Sequence, residues 1–84
     1  MNKIKITFKG KQYQFRYYWT TINAENIYFI RTDDKDAIRM LVEDFFFITF
    51  NITGQAPFNF NCHSDSHDEI DFKMAIATEI LMGG

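Results

Sequence analysis

Apolar and polar residues alternate along the first part of the chain with a period of two. The alternation covers residues 4–8 and, after a break at Lys9-Gly10, residues 13–19. A period of two is typical of strands with one buried face. Because glycine accepts the positive φ of a tight hairpin turn, we predict two strands joined at Gly10. Residues 20–26 are polar and indicate a loop, and the β-branched and aromatic residues of 27–31 predict a third strand.

The period changes to that of a helix after residue 32. Asp33 or Asp34 is a suitable N-cap, and the acids at this end favour the positive end of the helix dipole. Five apolar side chains then fall on one arc: Ala37, Ile38, Leu41, Val42 and Phe45. The pattern therefore predicts a first helix whose apolar arc packs on the sheet.

The segment that follows allows two interpretations. If the helix continued to Phe50, then Phe46, Phe47 and Phe50 would lie among charged residues on its polar side. If residues 46–52 form a strand, the apolar side chains of Phe46, Ile48, Phe50 and Ile52 share one face. We favour the strand because it exposes fewer aromatic rings. Residues 54–57 would then turn the chain, and residues 58–62 would form the partner strand.

A last helix is predicted from a capping box at Ser66 and Glu69, and Gly83 is its expected end. Its apolar stripe contains Ile70, Met74, Ala77 and Leu81. Phe72, Ile76 and Ile80 widen that stripe to about half the circumference, which is more than the roughly 100° that a surface helix buries. Either the helix lies deep in the fold, or its outer flank contacts another chain.

These elements predict one domain over residues 1–84, with the order βββαββα, or βββα(β)α if the first helix is longer. Short antiparallel strands with helices on one side form a two-layer α+β domain. We therefore expect a small antiparallel sheet with two helices packed on one face.

Composition adds an argument about partners. Aromatic residues make up 18% of the 84 residues, and ten of them are Phe. We expect this number of aromatic side chains to be more than one small core can bury, so that some remain on the surface for a partner. A lone cysteine, Cys62, forms no internal disulfide and is expected to be a small buried apolar side chain. With no export signal or long apolar stretch, the sequence predicts a cytoplasmic protein without a membrane partner.

The charges are unevenly distributed. Residues 1–24 carry a net charge of +5, and residues 25–84 carry −7. Basic and tyrosine side chains on one sheet face are suited to phosphates and unpaired bases. A nucleic-acid site at Lys3, Lys5, Arg16 and Tyr18 is therefore one hypothesis.

Residues 62–68 combine one thiol, two imidazoles and acids, with His63 and His67 four positions apart. That spacing suits a metal only within one helix, whereas the capping box begins the helix at Ser66. The sequence contains no glycine-rich phosphate loop, nucleophile elbow or redox cysteine pair. We therefore predict a protein that is not an enzyme and needs no cofactor.

Three hypotheses about function follow. The leading one is a non-catalytic interaction module or homo-oligomeric adaptor that contacts itself or another protein through the last helix. Its candidate contact residues are Phe72, Ile76 and Ile80, with Phe47 and Trp19 as additions. The second is weak nucleic-acid binding by the basic N-terminal strands. The third is metal binding at His63 and His67.

Overall fold

Seven elements are present in the computed structural model, which describes residues 2–51, 58–63 and 66–82. In chain order they are β1 (Asn2–Phe8), β2 (Lys11–Ile22), β3 (Glu25–Arg31), α1 (Lys35–Leu41), β4 (Phe45–Asn51), β5 (Phe58–Phe60) and α2 (His67–Leu81). This order is βββαββα, and the strand interpretation of the segment after α1 is confirmed.

The strands form one sheet in which each strand pairs antiparallel with its neighbour in the chain, in the order β1-β2-β3-β4-β5. The two helices contact each other and pack against the sheet. The predicted two-layer α+β class is therefore confirmed. Among the described residues, no helix combines the length and apolar character needed to cross a bilayer.

The connection between β2 and β3 differs from the predicted loop. β2 continues to Ile22 and β3 begins at Glu25, so only Asn23 and Ala24 connect them. Their φ angles are 52° and 65°, as in the two-residue turns that suit the twist of a hairpin. Polar composition predicted a loop here because Thr20, Thr21 and Asn26 lie on strands that project beyond the core and are exposed or half-buried.

The first helix is shorter than its apolar arc predicted. Asp34 is the N-cap, and its side chain accepts hydrogen bonds from the backbone N–H groups of Asp36 and Ala37. Val42 adopts a left-handed conformation with φ of 65°, which ends α1 at Leu41. Val42 and Phe45 are therefore exposed rather than part of the helix's buried arc, and Phe45 begins β4.

Strand β5 is also shorter than predicted. It ends at Phe60, and the carbonyl of the next residue, Asn61, accepts a hydrogen bond from Lys73 Nζ at 2.7 Å. Cys62 follows outside the strand and is exposed, so its predicted burial is wrong. The predicted turn at residues 54–57 and the helix end at Gly83 lie outside the described residues.

The core lies between the sheet and α2. Phe72 is fully buried, and its ring lies 4.5 Å from that of Phe8, 4.9 Å from Tyr13 and 5.6 Å from Phe15. Ile76 and Ile80 belong to the same buried cluster. Phe72, Ile76 and Ile80 are therefore core residues, and their side chains are not on the surface where the predicted contact with another chain would need them. The apolar arc of α2 is wide because this helix packs deeply.

Candidate functional site

The face of the sheet opposite the helices is covered by no described helix or strand. Side chains at every second strand position point to it, and most are exposed. We call this surface the open face and define it by the residues that carry the argument below: Lys3, Lys5, Gln14, Arg16, Tyr18, Phe29, Arg31, Phe45 and Phe47.

Strand register arranges the open face in two rows that cross the strands. Lys3 pairs with Arg16, and Arg16 pairs with Arg31, which forms a cation row over β1, β2 and β3. Tyr18 pairs with Phe29, and Phe29 pairs with Phe47, which forms an aromatic row over β2, β3 and β4. Arg16 and Tyr18 are two residues apart on β2, so the rows are about 7 Å apart.

The aromatic side chains of the open face are stacked and accessible. The rings of Tyr18 and Phe29 are 4.8 Å apart with an interplanar angle of 18°, and those of Phe29 and Phe45 are 6.1 Å apart with an angle of 23°. Tyr18 and Phe47 are each 45% exposed. Three strands thus contribute to one aromatic surface in contact with solvent.

A cleft of about 390 Å³ lies beside the cation row. It is lined by Lys3, Gln14, Arg16, Arg31, Thr32, Asp33 and Asp34. Arg16 Nη2 donates to Asp33 Oδ2 at 2.7 Å. In the part of the chain that the structure describes, Lys3 and Arg31 have no ion pair. The cleft therefore combines two cations without an ion pair, one cation paired with Asp33, and the carboxylate of Asp34.

Two other basic residues of the N-terminal region form ion pairs with the helices. Lys9 pairs with Asp68 of α2, and Lys11 pairs with Asp36 of α1. The hydrogen bond from Lys11 holds the pKa of the Asp36 carboxyl below its ordinary value. The basic N-terminal region is therefore divided: Lys9 and Lys11 tie the hairpin to the helices, whereas Lys3, Lys5 and Arg16 lie on the open face.

Trp19 lies on the other face of the sheet. Its ring is 50% exposed and stacks on Tyr28 at a centroid distance of 5.7 Å, at the end of the sheet beyond the core. Phe47 lies on the open face, so the two predicted additions to a contact surface are not part of one surface.

His63 belongs to a charged cluster that was not predicted. Its Nε2 lies 2.9 Å from Glu43 Oε1, and its backbone N–H donates to Glu69 Oε2 at 2.8 Å. Lys73 Nζ donates to Glu43 Oε2 at 2.6 Å and to Glu69 Oε2 at 2.9 Å, and it is fully buried. The sequence signal is that Glu69 and Lys73 share the helical face of the buried Phe72 and Ile76.

The metal hypothesis gains no support from this geometry. His67 is exposed at the start of α2, while His63 lies outside the helix, so one helical face does not present both imidazoles. Within residues 2–51, 58–63 and 66–82, no three His, Cys, Asp or Glu side chains are grouped as metal ligands.

Cys62 is exposed, yet its thiol has an altered acidity. Partial burial, followed by the nearby Glu69 carboxylate, raises the pKa of the Cys62 thiol. We expect iodoacetamide to alkylate it with a pH midpoint above that of the same chain unfolded in urea, since the thiolate is the reactive form. Equal midpoints in the folded and unfolded chain would contradict this expectation.

Comparison with known proteins finds no matching family model, no matching curated protein and no matching solved structure. The residues of the open face and their charges are therefore the basis on which a function is inferred.

Proposed function

We propose that the open face binds single-stranded nucleic acid, as a binding function without catalysis. The observation that carries the proposal is the adjacency of the cation row and the aromatic row on one uncovered sheet face. Single strands are bound by cations along the backbone and by aromatic rings on which bases stack. Bases in a duplex are already stacked and paired, so the aromatic row favours an unpaired strand.

The charge distribution supports this assignment despite the net charge of −2. Among described strand residues, Glu25 is the one acid on the open face, and it lies at the far end of β3 from Arg31. The acids Asp36, Asp68, Asp71 and Glu79 belong to the helices on the other side of the sheet. A polyanion approaching the open face therefore meets four cations, opposed near the cation row by Asp33 and Asp34 of the cleft.

The expected affinity is modest. If the strand contacts three cations, the slope of log K against log salt is about −2, from roughly −0.7 per phosphate on a single strand. Stacking contributes about 1–3 kcal/mol for each base. We expect binding in the micromolar range at low salt, because non-specific contacts of this number give dissociation constants of about 10⁻⁴ to 10⁻⁶ M.

The proposal is tested with a fluorescently labelled ten-nucleotide single strand and anisotropy measurements at several salt concentrations. Arg31→Gln is expected to weaken binding and to reduce the salt slope by about 0.7. Lys35→Gln is the matched control, because Lys35 is an exposed residue of α1 and its replacement leaves the charge of the open face unchanged. Phe47→Ala should weaken binding about 5- to 100-fold through lost stacking, with the salt slope unchanged.

Two outcomes would contradict the proposal. One is an absence of binding at low salt; the other is an equal effect of Arg31→Gln and Lys35→Gln, which would indicate general attraction without a site. The intrinsic fluorescence of Trp19 is unsuitable for measuring this binding, since Trp19 lies on the opposite face of the sheet.

A protein partner or a second copy of the chain is the second candidate for the same face. Phe45 and Phe47 are 42% and 45% exposed, and two adjacent exposed phenylalanines favour protein contacts. Light scattering over a concentration series distinguishes the candidates: a dimer that Phe47→Ala dissociates would favour self-association.

A further inference from the structure

We infer that the cleft beside the cation row binds a terminal phosphate monoester, so that the open face recognises the end of a strand. This inference rests on the proposed function and specifies its ligand. It follows from the three cations of the cleft, from the acids at its outer wall and from the aromatic row at its inner side.

The two cations of the cleft that have no ion pair among the described residues, Lys3 and Arg31, match a dianion better than a diester. Lys3, Arg16 and Arg31 come from three neighbouring strands and occupy one register row. An internal phosphodiester carries one negative charge, whereas a phosphate monoester carries about −1.5 to −2 at pH 7 and three acceptor oxygens. Lys3 and Arg31, which have no ion pair among the described residues, together supply enough donors for all three oxygens.

The acids at the outer wall of the cleft disfavour a nucleic-acid strand that continues beyond the bound phosphate. Along β3 and the segment that follows it, the order from the aromatic row outward is Phe29, Arg31 and then Asp33. Thr32 is buried, and its Oγ1 donates to the carbonyl of Gln14 at 3.2 Å, which holds the loop against β2. On the side of β3, a further phosphate beyond the cation row would approach the carboxylates of Asp33 and Asp34, and this like charge disfavours that ligand.

The opposite side of the cleft leads to the aromatic row. A ligand with its phosphate at Arg16 and Arg31 therefore has its base over Tyr18 and Phe29, about 7 Å along the strands. The chemistry recognised is an aromatic base that carries a phosphate monoester. A 5′ end, a 3′ end and a free mononucleotide share this chemistry.

The test compares four-nucleotide strands of one sequence with a 5′-phosphate, with a 3′-phosphate and with hydroxyls at both ends, together with the mononucleotide, by isothermal titration. We expect one phosphorylated strand to bind about tenfold more tightly than the hydroxyl strand, the effect of a charge-assisted hydrogen bond. Arg31→Gln should bring the affinities of the phosphorylated and hydroxyl strands to the same value, so that their ratio is about 1. Lys5→Gln is the matched control, because Lys5 lies on the open face and does not line the cleft; it should change the ratio less than Arg31→Gln does.

The outcomes separate the inference from the proposed function. Equal binding of phosphorylated and hydroxyl strands overturns the inference and leaves single-strand binding intact. Absence of binding by all strands and by the mononucleotide overturns both. Binding of the mononucleotide alone supports the cleft as a phosphate site and rejects the strand as its ligand. Asp33→Asn is expected to tighten binding of the phosphorylated strand, since it frees Arg16 of its carboxylate partner; weaker binding of that strand would overturn the role assigned to Arg16.

Discussion

Replacing Lys73 with alanine is expected to lower the free energy of unfolding by about 3–5 kcal/mol, the usual result of removing one partner of a buried ion pair. Lys73 is fully buried and donates to Glu43, to Glu69 and to the carbonyl of Asn61. Alanine would leave the fully buried Glu69 beside the mostly buried Glu43 without their shared cation. The charge that then remains buried without a partner accounts for the larger part of the loss in free energy of unfolding.

The position of Lys73 also explains why its effect extends beyond α2. Its Nζ joins the helix to the segment before β4 through Glu43 and to the segment after β5 through Asn61. Glu69 in turn accepts from the backbone N–H of His63. One ammonium group thus organises three parts of the chain that are far apart in sequence.

Urea denaturation followed by circular dichroism measures this prediction. Lys35→Ala is the matched control, since it removes an exposed lysine from the other helix and should change the free energy of unfolding by less than about 0.5 kcal/mol. The combined change Lys73→Met, Glu43→Gln and Glu69→Gln should recover much of the loss, because no unpaired charge is then buried. A Lys73→Ala variant as stable as the parent would refute the structural role of this cluster.

The second large effect is expected for Phe72→Ala, which should destabilise the protein by about 3–5 kcal/mol. Phe72 is fully buried and contacts three aromatic rings of β1 and β2. Removing its ring leaves a cavity at the contact between helix and sheet, which rigid strands fill poorly. Phe8, which stacks on Phe72 at 4.5 Å, would lose its main ring contact.

Phe47→Ala is the matched control for this prediction. The same substitution on the open face should change stability by less than about 1 kcal/mol, because the ring is 45% exposed in the folded protein. Thermal unfolding and light scattering are measured together. If Phe72→Ala kept its stability but lost an oligomer, the earlier interpretation of this flank as an interface would be right and its burial in the core wrong.

Much of the fold followed from local patterns. Alternation in residues 4–8 and 13–19 predicted strands, and the same faces are buried in the structure. The strand after α1 was predicted because a helix would have exposed three phenylalanines, and Phe46 and Phe50 are in fact buried. These predictions succeed because burial of one face imposes a period that depends on the local backbone alone.

The flank of α2 could not be interpreted in the same way. An apolar residue such as Ile76 has the same pattern whether it meets the protein's own sheet or another chain. Its burial depends on how closely the helix approaches β1, which is a property of packing between distant segments. The exposure of Cys62 was missed for a related reason, since the segment after β5 contacts Lys73 of α2, a residue distant in the sequence.

Local periodicity, capping and composition were enough to predict the class of the fold and the basic character of the N-terminal strands, and they favoured the observed order of elements over one alternative. Which of these residues lie side by side depends on strand pairing and packing. Lys3, Arg16 and Arg31 form one row, and Tyr18, Phe29 and Phe47 form another, because strand pairing brings them into register. Register and packing join residues that are distant in the chain, and neither leaves a local pattern from which it can be read.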